Sequence, residues 1–143
     1  MNLLVVFIFG LIGVVEKPLT IMYSDQEAAE ECVTQFVQGA DQRDLKKIDA
    51  ALHNHFRVMI HSSNEEVQII DKAQYLSLIK EEKIGGTPRT FSVEQIDVYG
   101  AKTAKIKAKL SSGEMNFHSY YSLIKVNGNW KIVQDLVHIT ASN

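Results

Sequence analysis

The chain has 143 residues, 45% hydrophobic and 22% charged, with a formal net charge of −2. That length suits one domain, and so ordinary a composition excludes a disordered or low-complexity chain. Fifteen Lys and Arg against seventeen Asp and Glu argue against a nucleic-acid surface, and a single cysteine, Cys32, excludes an intramolecular disulfide or a cysteine-based zinc cluster.

The chain opens on an apolar, uncharged stretch over 2–15, thirteen residues of it consecutively apolar or Gly from Leu3. It is short for a membrane span of about twenty residues. Three readings stay open: an export signal without the usual leading Lys or Arg, sequence upstream of a start at Met22, or a segment packed on the domain. Localisation follows: exported under the first reading, otherwise cytoplasmic.

The domain proper begins at Ser24. S-D-Q-E reads as a capping box, in which Ser24 covers free amides and Glu27 reaches back. Ala28, Cys32, Phe36 and Ala40, with Ala29, Val33 and Val37 beside them, make one apolar stripe of a helix. A second helix starts at Asp44 and buries Leu45, Ile48 and Leu52. Strands follow over 56–61 and 66–70. Asp71 with Gln74 caps a third helix, carrying Tyr75, Leu76, Leu78 and Ile79 and stopped by Gly85-Gly86. From Thr90 the period becomes two, with strands over 91–99 and 103–110. In the second of these Ala104, Ile106, Ala108 and Leu110 point inward, and Lys105, Lys107 and Lys109 outward. Helices first and a meander of strands last indicate an α+β domain, helices stacked on one face of a curved antiparallel sheet.

The closing stretch, 116–139, is the most informative. Two β-rich runs flank Asn127-Gly128, a dipeptide suited to the positive φ angles of a two-residue hairpin turn. Val126 then faces Asn129, and counting outward sorts the side chains onto two faces. The core face collects Phe117, Ser119, Tyr121, Leu123 and Lys125 with Trp130, Ile132, Gln134, Leu136 and His138. The opposite, mixed face collects His118, Tyr120, Ile124, Val133, Asp135, Val137 and Ile139 among others.

The run S-Y-Y-S-L-I-K-V-N-G-N-W-K-I-V resembles the closing hairpin of the "Putative lumazine-binding" family, within the nuclear transport factor 2-like superfamily. Members tend to end in Y-x-S-L-x-K-V-[DN]-G-x-W-x-I-V and then a His. Tyr120, Ser122, Leu123, Lys125, Val126, Gly128, Trp130, Ile132 and Val133 match, and His138 suits the trailing position. F-V-Q-G-A-D-Q-R-D-L and L-H-N-H-F resemble the family's first two helices and first strand entry. The resemblance implies a cone-shaped, cystatin-like fold over roughly 24–143, with three helices on a curved antiparallel sheet. It does not select a chemistry, because the superfamily hosts enzymes, carriers and interaction domains.

Five histidines are the first residues to weigh for chemistry. His53-x-His55 with His61 could share a face, but Asn54 falls where a loop is expected and no carboxylate sits at matching spacing, so no metal is expected. His118 groups with Asp135 and Tyr120 on the mixed face, which reads as surface. The core face matters more. Ser119, Tyr121, Gln134 and His138 interleave with Phe117 and Trp130, the pattern of an apolar pocket with a few orienting polar groups. Small Ala104 and Ala108 leave room for a cavity there. The favoured reading is a small-molecule-binding domain with no cofactor, its ligand held by Phe117, Ser119, Tyr121, Trp130, Gln134 and His138. One alternative is a lyase or isomerase using His138 as acid–base, with Tyr121 or Gln134 polarising a carbonyl. It is disfavoured because regular alternation points Asp135 away from the cone. The other alternative is an interaction domain whose cone is filled. A homodimer is expected through Tyr120, Ile124, Val133, Val137 and Ile139, as in related superfamily members.

Overall fold

The computed structural model describes residues 24–143. The apolar stretch over 2–15 and Met22 lie outside the described residues. Helix α1 (Asp25–Gln42) starts in the expected capping box: Ser24 Oγ accepts from Glu27 N–H, and Glu27 accepts from Ser24 N–H. Its stripe of Ala29, Cys32, Val33, Phe36, Val37 and Ala40 is buried. Helix α2 (Leu45–Ala51) is capped by Asp44 and buries Ile48. Helix α3 (Lys72–Lys80) carries the Asp71–Gln74 capping box.

Helix α3 ends at Lys80, five residues before the glycines expected to stop it. Gly85 and Gly86 serve the following loop instead. Gly86 N–H donates to Ala40 O at 3.0 Å, and a Cβ on Gly85 would lie 2.5 Å from that same oxygen. Both have positive φ, which glycine adopts without strain. Arg43, left-handed at the end of α1, donates to the Ile84 and Gly85 carbonyls and pins the loop from the other side.

Among the described residues the sheet has six strands: β1 (Leu52–Ser62), β2 (Val67–Asp71), β3 (Thr90–Tyr99), β4 (Thr103–Ser111), β5 (Met115–Val126) and β6 (Asn129–Ala141). Their spatial order is β2-β1-β6-β5-β4-β3. The last four strands form the expected antiparallel meander, and β1 joins β6 in parallel. The helices cover one face of this curved, unclosed sheet. Asn127 and Gly128 have φ of 51° and 79°, so the two-residue turn forms as the dipeptide demands. Ala104, Ile106, Ala108 and Leu110 are buried between exposed lysines.

One irregularity changes the facing of β6. Leu123 pairs with Ile132 as counted, but Ser122 pairs with Gln134, leaving Val133 as an extra residue. Strand β1 is irregular at the same place, between Leu52 and Arg57. A bulge on each strand there increases local twist and bends the sheet around the helices. Because side chains alternate with period two, one extra residue exchanges the faces of everything beyond it. Asp135, Val137 and Ile139 therefore turn inward, and Gln134, Leu136 and His138 turn outward.

Candidate functional site

Inside the cone, successive rows can be read across the strands. Tyr121 of β5 faces Asp135 of β6, which faces Val58 of β1. One row further from the turn, Ala108, Ser119, Val137 and Ile60 line up, and then Leu110, Phe117 and Ile139. Asp135 is only 7% exposed, Tyr121 and Ser119 2%. Above Tyr121 lie Phe36 of α1, with ring centroids 6.2 Å apart, and Tyr75 of α3, 5.5 Å from Phe36; Phe56 of β1 closes this aromatic group at 5.8 Å from Phe36.

A carboxyl group in such surroundings is displaced from its usual ionisation. Burial pushes Asp135 up to about 7, while the adjacent Ser119 hydroxyl and then the Arg89 guanidinium pull it partly back. Its Oδ1 is buried with no hydrogen-bond partner among the described residues. Burial also raises the Tyr121 phenol well above its ordinary value, and the nearby Asp135 charge adds to this. Tyr75 is raised as well, chiefly by burial. Both phenols stay protonated near neutrality and can donate, whereas Asp135 sits where either protonation state is accessible.

The polar group continues toward the end of the cone away from the turn. Arg89 Nε–H donates to Asp41 Oδ1 at 2.7 Å, and Arg89 backbone N–H donates to Asp41 Oδ2 at 3.0 Å. The two side chains are only 17% and 12% exposed. The guanidinium carbon also lies 5.2 Å from the centre of the Phe117 ring. The loop held by Arg43 and the two glycines is what delivers Arg89 to this position.

The structure thus brings Phe117, Ser119 and Tyr121 together on the inner face as expected. Trp130 is also buried, but it belongs to the turn end, where its indole N–H donates to Asp25 Oδ1 at 3.3 Å beside the Lys125–Asp25 ion pair. Two expected pocket residues, Gln134 and His138, are on the outer face, for the bulge reason given above. Gln134 lies opposite Arg57 with its Nε2 4.0 Å from Met59 Sδ, and His138 lies opposite His61. The acid–base role assigned to His138 within the cone therefore loses its geometry. Asp135, weighed in the sequence but placed by regular alternation on the opposite face, belongs to the inner face. Tyr75, Asp41 and Arg89, not among the expected site residues, reach the site through loop and helix packing that periodicity does not show.

The outer face is corrected in the same way. Tyr120 and Ile124 remain there, and Val133 sits at the bulge, whereas Val137 is buried inside and Ile139 packs against the core. In their stead Leu136 lies between Tyr120 and Met59, with Ile69 beyond. Tyr120, Leu136 and Ile69 are each about half exposed.

Surface grooves accompany this arrangement among the described residues. The larger, about 1210 Å³ and open to solvent, runs between α1, α2 and the β5–β6 turn, with Glu31, Lys47 and Lys131 among its walls. Neither groove includes Asp135, Ser119 or Tyr121. The larger one has charged, exposed walls, and the chemical oddity of the molecule is inside the cone.

Comparison with known folds places the chain in the nuclear transport factor 2-like class. A protein of that fold and unknown function from Shewanella baltica superposes with a TM-score of 0.71 at 19% identity, over 85% of this chain and all of that one. A ketosteroid isomerase-like protein from Erwinia carotovora atroseptica gives 0.67 at 9% identity, over 85% and 100%. A cystatin-like fold protein from Burkholderia xenovorans gives 0.64 at 13%, over 83% and 94%. Within that class the chain belongs to the "Putative lumazine-binding" family, whose model matches residues 24–138. Comparison of the sequence with curated proteins finds no match.

Proposed function

We propose that the domain binds a small, planar, largely uncharged molecule inside the cone, anchored by Asp135. The observation that carries this reading is the buried carboxyl whose Oδ1 has no partner. An unsatisfied buried polar atom costs on the order of 1–3 kcal/mol, and a ligand N–H or O–H would remove that cost. Tyr121 and Ser119 flank the carboxyl, and the rings of Phe36, Phe56 and Tyr75 supply an aromatic wall. The family description adds a concrete probe, since lumazine is planar and carries ring N–H and C=O groups.

The test is native mass spectrometry of the purified chain for a co-purifying molecule, followed by a thermal-shift screen containing lumazine, other pteridinediones and conjugated cyclic ketones. A compound at a hundred times its dissociation constant adds roughly 2.7 kcal/mol to stability. Asp135→Leu, which removes the anchor, is expected to abolish that gain, and Gln134→Leu on the outer face to keep it. Equal binding by the Asp135→Leu variant would place the ligand elsewhere.

A second reading, proton transfer, gains from one observation that regular strand counting did not supply. An inward carboxyl raised to about 7 can accept and return a proton near neutrality, beside two phenols able to donate to an oxyanion. Exchange of α-hydrogens of a bound cyclic ketone with solvent deuterium, lost in Asp135→Asn, distinguishes catalysis from simple binding.

Self-association belongs to the same proposal. Tyr120, Leu136 and Ile69 form an exposed apolar row on the outer face, which a second copy would cover. Light scattering at tens of micromolar is expected to give a dimer mass for the parent and a monomer mass for Leu136→Glu. A parent that is monomeric throughout would sink this part of the reading.

A further inference from the structure

The bulge that turns Asp135 inward sends His138 outward, where it meets another imidazole. His61 and His138 are direct neighbours across the parallel β1–β6 pair. Their Nδ1 atoms are 2.9 Å apart, with ring centroids at 4.9 Å and planes inclined by 31°. Both residues are half-buried, so the pair is held by its neighbours yet reachable from solvent. The row continues to exposed His118 opposite His138, then to Lys109 opposite His118.

We propose that His61 and His138 form a two-nitrogen chelating site for a late first-row divalent cation of the zinc or copper class. Two imidazole nitrogens bound to one tetrahedral zinc at about 2.0–2.1 Å stand about 3.3 Å apart. The observed separation is shorter by only a few tenths of an ångström, a change that small ring rotations supply without moving either strand. The strand pairing fixes both side-chain origins, so the two ligands are positioned before the cation arrives. Without a metal the two rings share one N–H···N hydrogen bond, which binding replaces.

The donor set also selects the ion. This row of the sheet, from Val67 on β2 to Lys109 on β4, contains no carboxylate and no thiolate. Neutral imidazole suits zinc, copper and nickel, whereas magnesium and calcium require oxygen ligands. Among the described residues no group of three or more His, Cys, Asp or Glu side chains forms a ready cage. The described residues thus supply two of the ligands and leave the remaining coordination positions to water. His53 and His55, which share a spacing pattern with His61 in the sequence, lie within the β1 irregularity between Leu52 and Arg57. There His53 Nδ1 already accepts His55 N–H at 3.1 Å.

The metal-stripped full-length chain is titrated with zinc by calorimetry, and its copper(II) complex is read by electron paramagnetic resonance. One equivalent of cation is expected, with hyperfine splitting from two imidazole nitrogens. His61→Ala and His138→Ala are each expected to weaken zinc binding at least tenfold. His61→Gln and His138→Gln, which keep a hydrogen-bonding side chain in place, should fold as the parent does and show the same loss. A His53→Ala/His55→Ala double variant should bind within twofold of the parent. Absence of binding by the parent, retention of affinity in both single-site variants, or loss confined to the His53/His55 variant would each overturn the assignment.

Discussion

Replacing Asp135 by Asn is expected to stabilise the folded chain at pH 8 and to change it little at pH 4. The folded-state carboxyl ionises near 7, against an ordinary value of 3.8. Below the ordinary value both folded and unfolded chains hold the proton, and no dependence on pH arises from this group. Between the two values the unfolded chain releases its proton while the folded chain keeps it. Stability of the parent therefore falls as pH rises through this window, and the loss is complete above about pH 7. At 1.36 kcal/mol per unit, the full window corresponds to roughly 4 kcal/mol. Asn cannot ionise, so the difference between variant and parent opens over the same window. Asp25 and Glu94, held low by Lys125 and Lys109 respectively, act in the opposite direction, but they are common to both proteins and cancel in the comparison. Urea unfolding of both proteins from pH 4 to 8.5 is the measurement. A difference that does not vary with pH would mean that Asp135 is not a buried, displaced carboxyl.

The second large effect is expected at Asp41. Removing it as Asp41→Ala leaves a mostly buried guanidinium without its counter-charge and the Arg89 backbone N–H without its acceptor. Breaking one side of a buried pair costs about 3 kcal/mol, because the remaining charge stays desolvated. Arg89→Met keeps the aliphatic stem beside Phe117 and removes the charge. The double variant should lose less than the sum of the two single losses, since it leaves no orphaned charge. Purely additive losses would show that the pair is not coupled. The Arg89 guanidinium also pulls the Asp135 carboxyl downward. In an Arg89→Met background the pH window of the Asp135→Asn comparison should accordingly extend upward, which links the pair at the end of the cone to the carboxyl within it.

What the sequence determined by itself is the part of the fold carried by short-range rules. The capping boxes at Ser24 and Asp71 and the Asn127-Gly128 turn are satisfied by neighbours a few residues away, and the apolar stripe from Ala28 to Ala40 and the alternation from Ala104 to Leu110 are periodicities carried by the chain itself. These were legible, and with them the α+β architecture and the inward facing of Ser119, Tyr121 and Trp130. Regular counting holds along β5 and along β6 as far as Ile132. Beyond that point either alternation of β6 puts apolar residues inside: Leu136 on one, Val137 and Ile139 on the other. No local preference chooses between them. Tertiary structure decides, because the sheet must bend around α1 and relieves the bend by leaving Val133 unpaired, beside a matching irregularity in β1. That single extra residue exchanges Gln134 and His138 for Asp135 inside the cone and sets His138 against His61 outside it. Arg89 and Asp41 are a similar case, 48 residues apart in sequence. They are joined only because the loop after α3 docks on the end of α1.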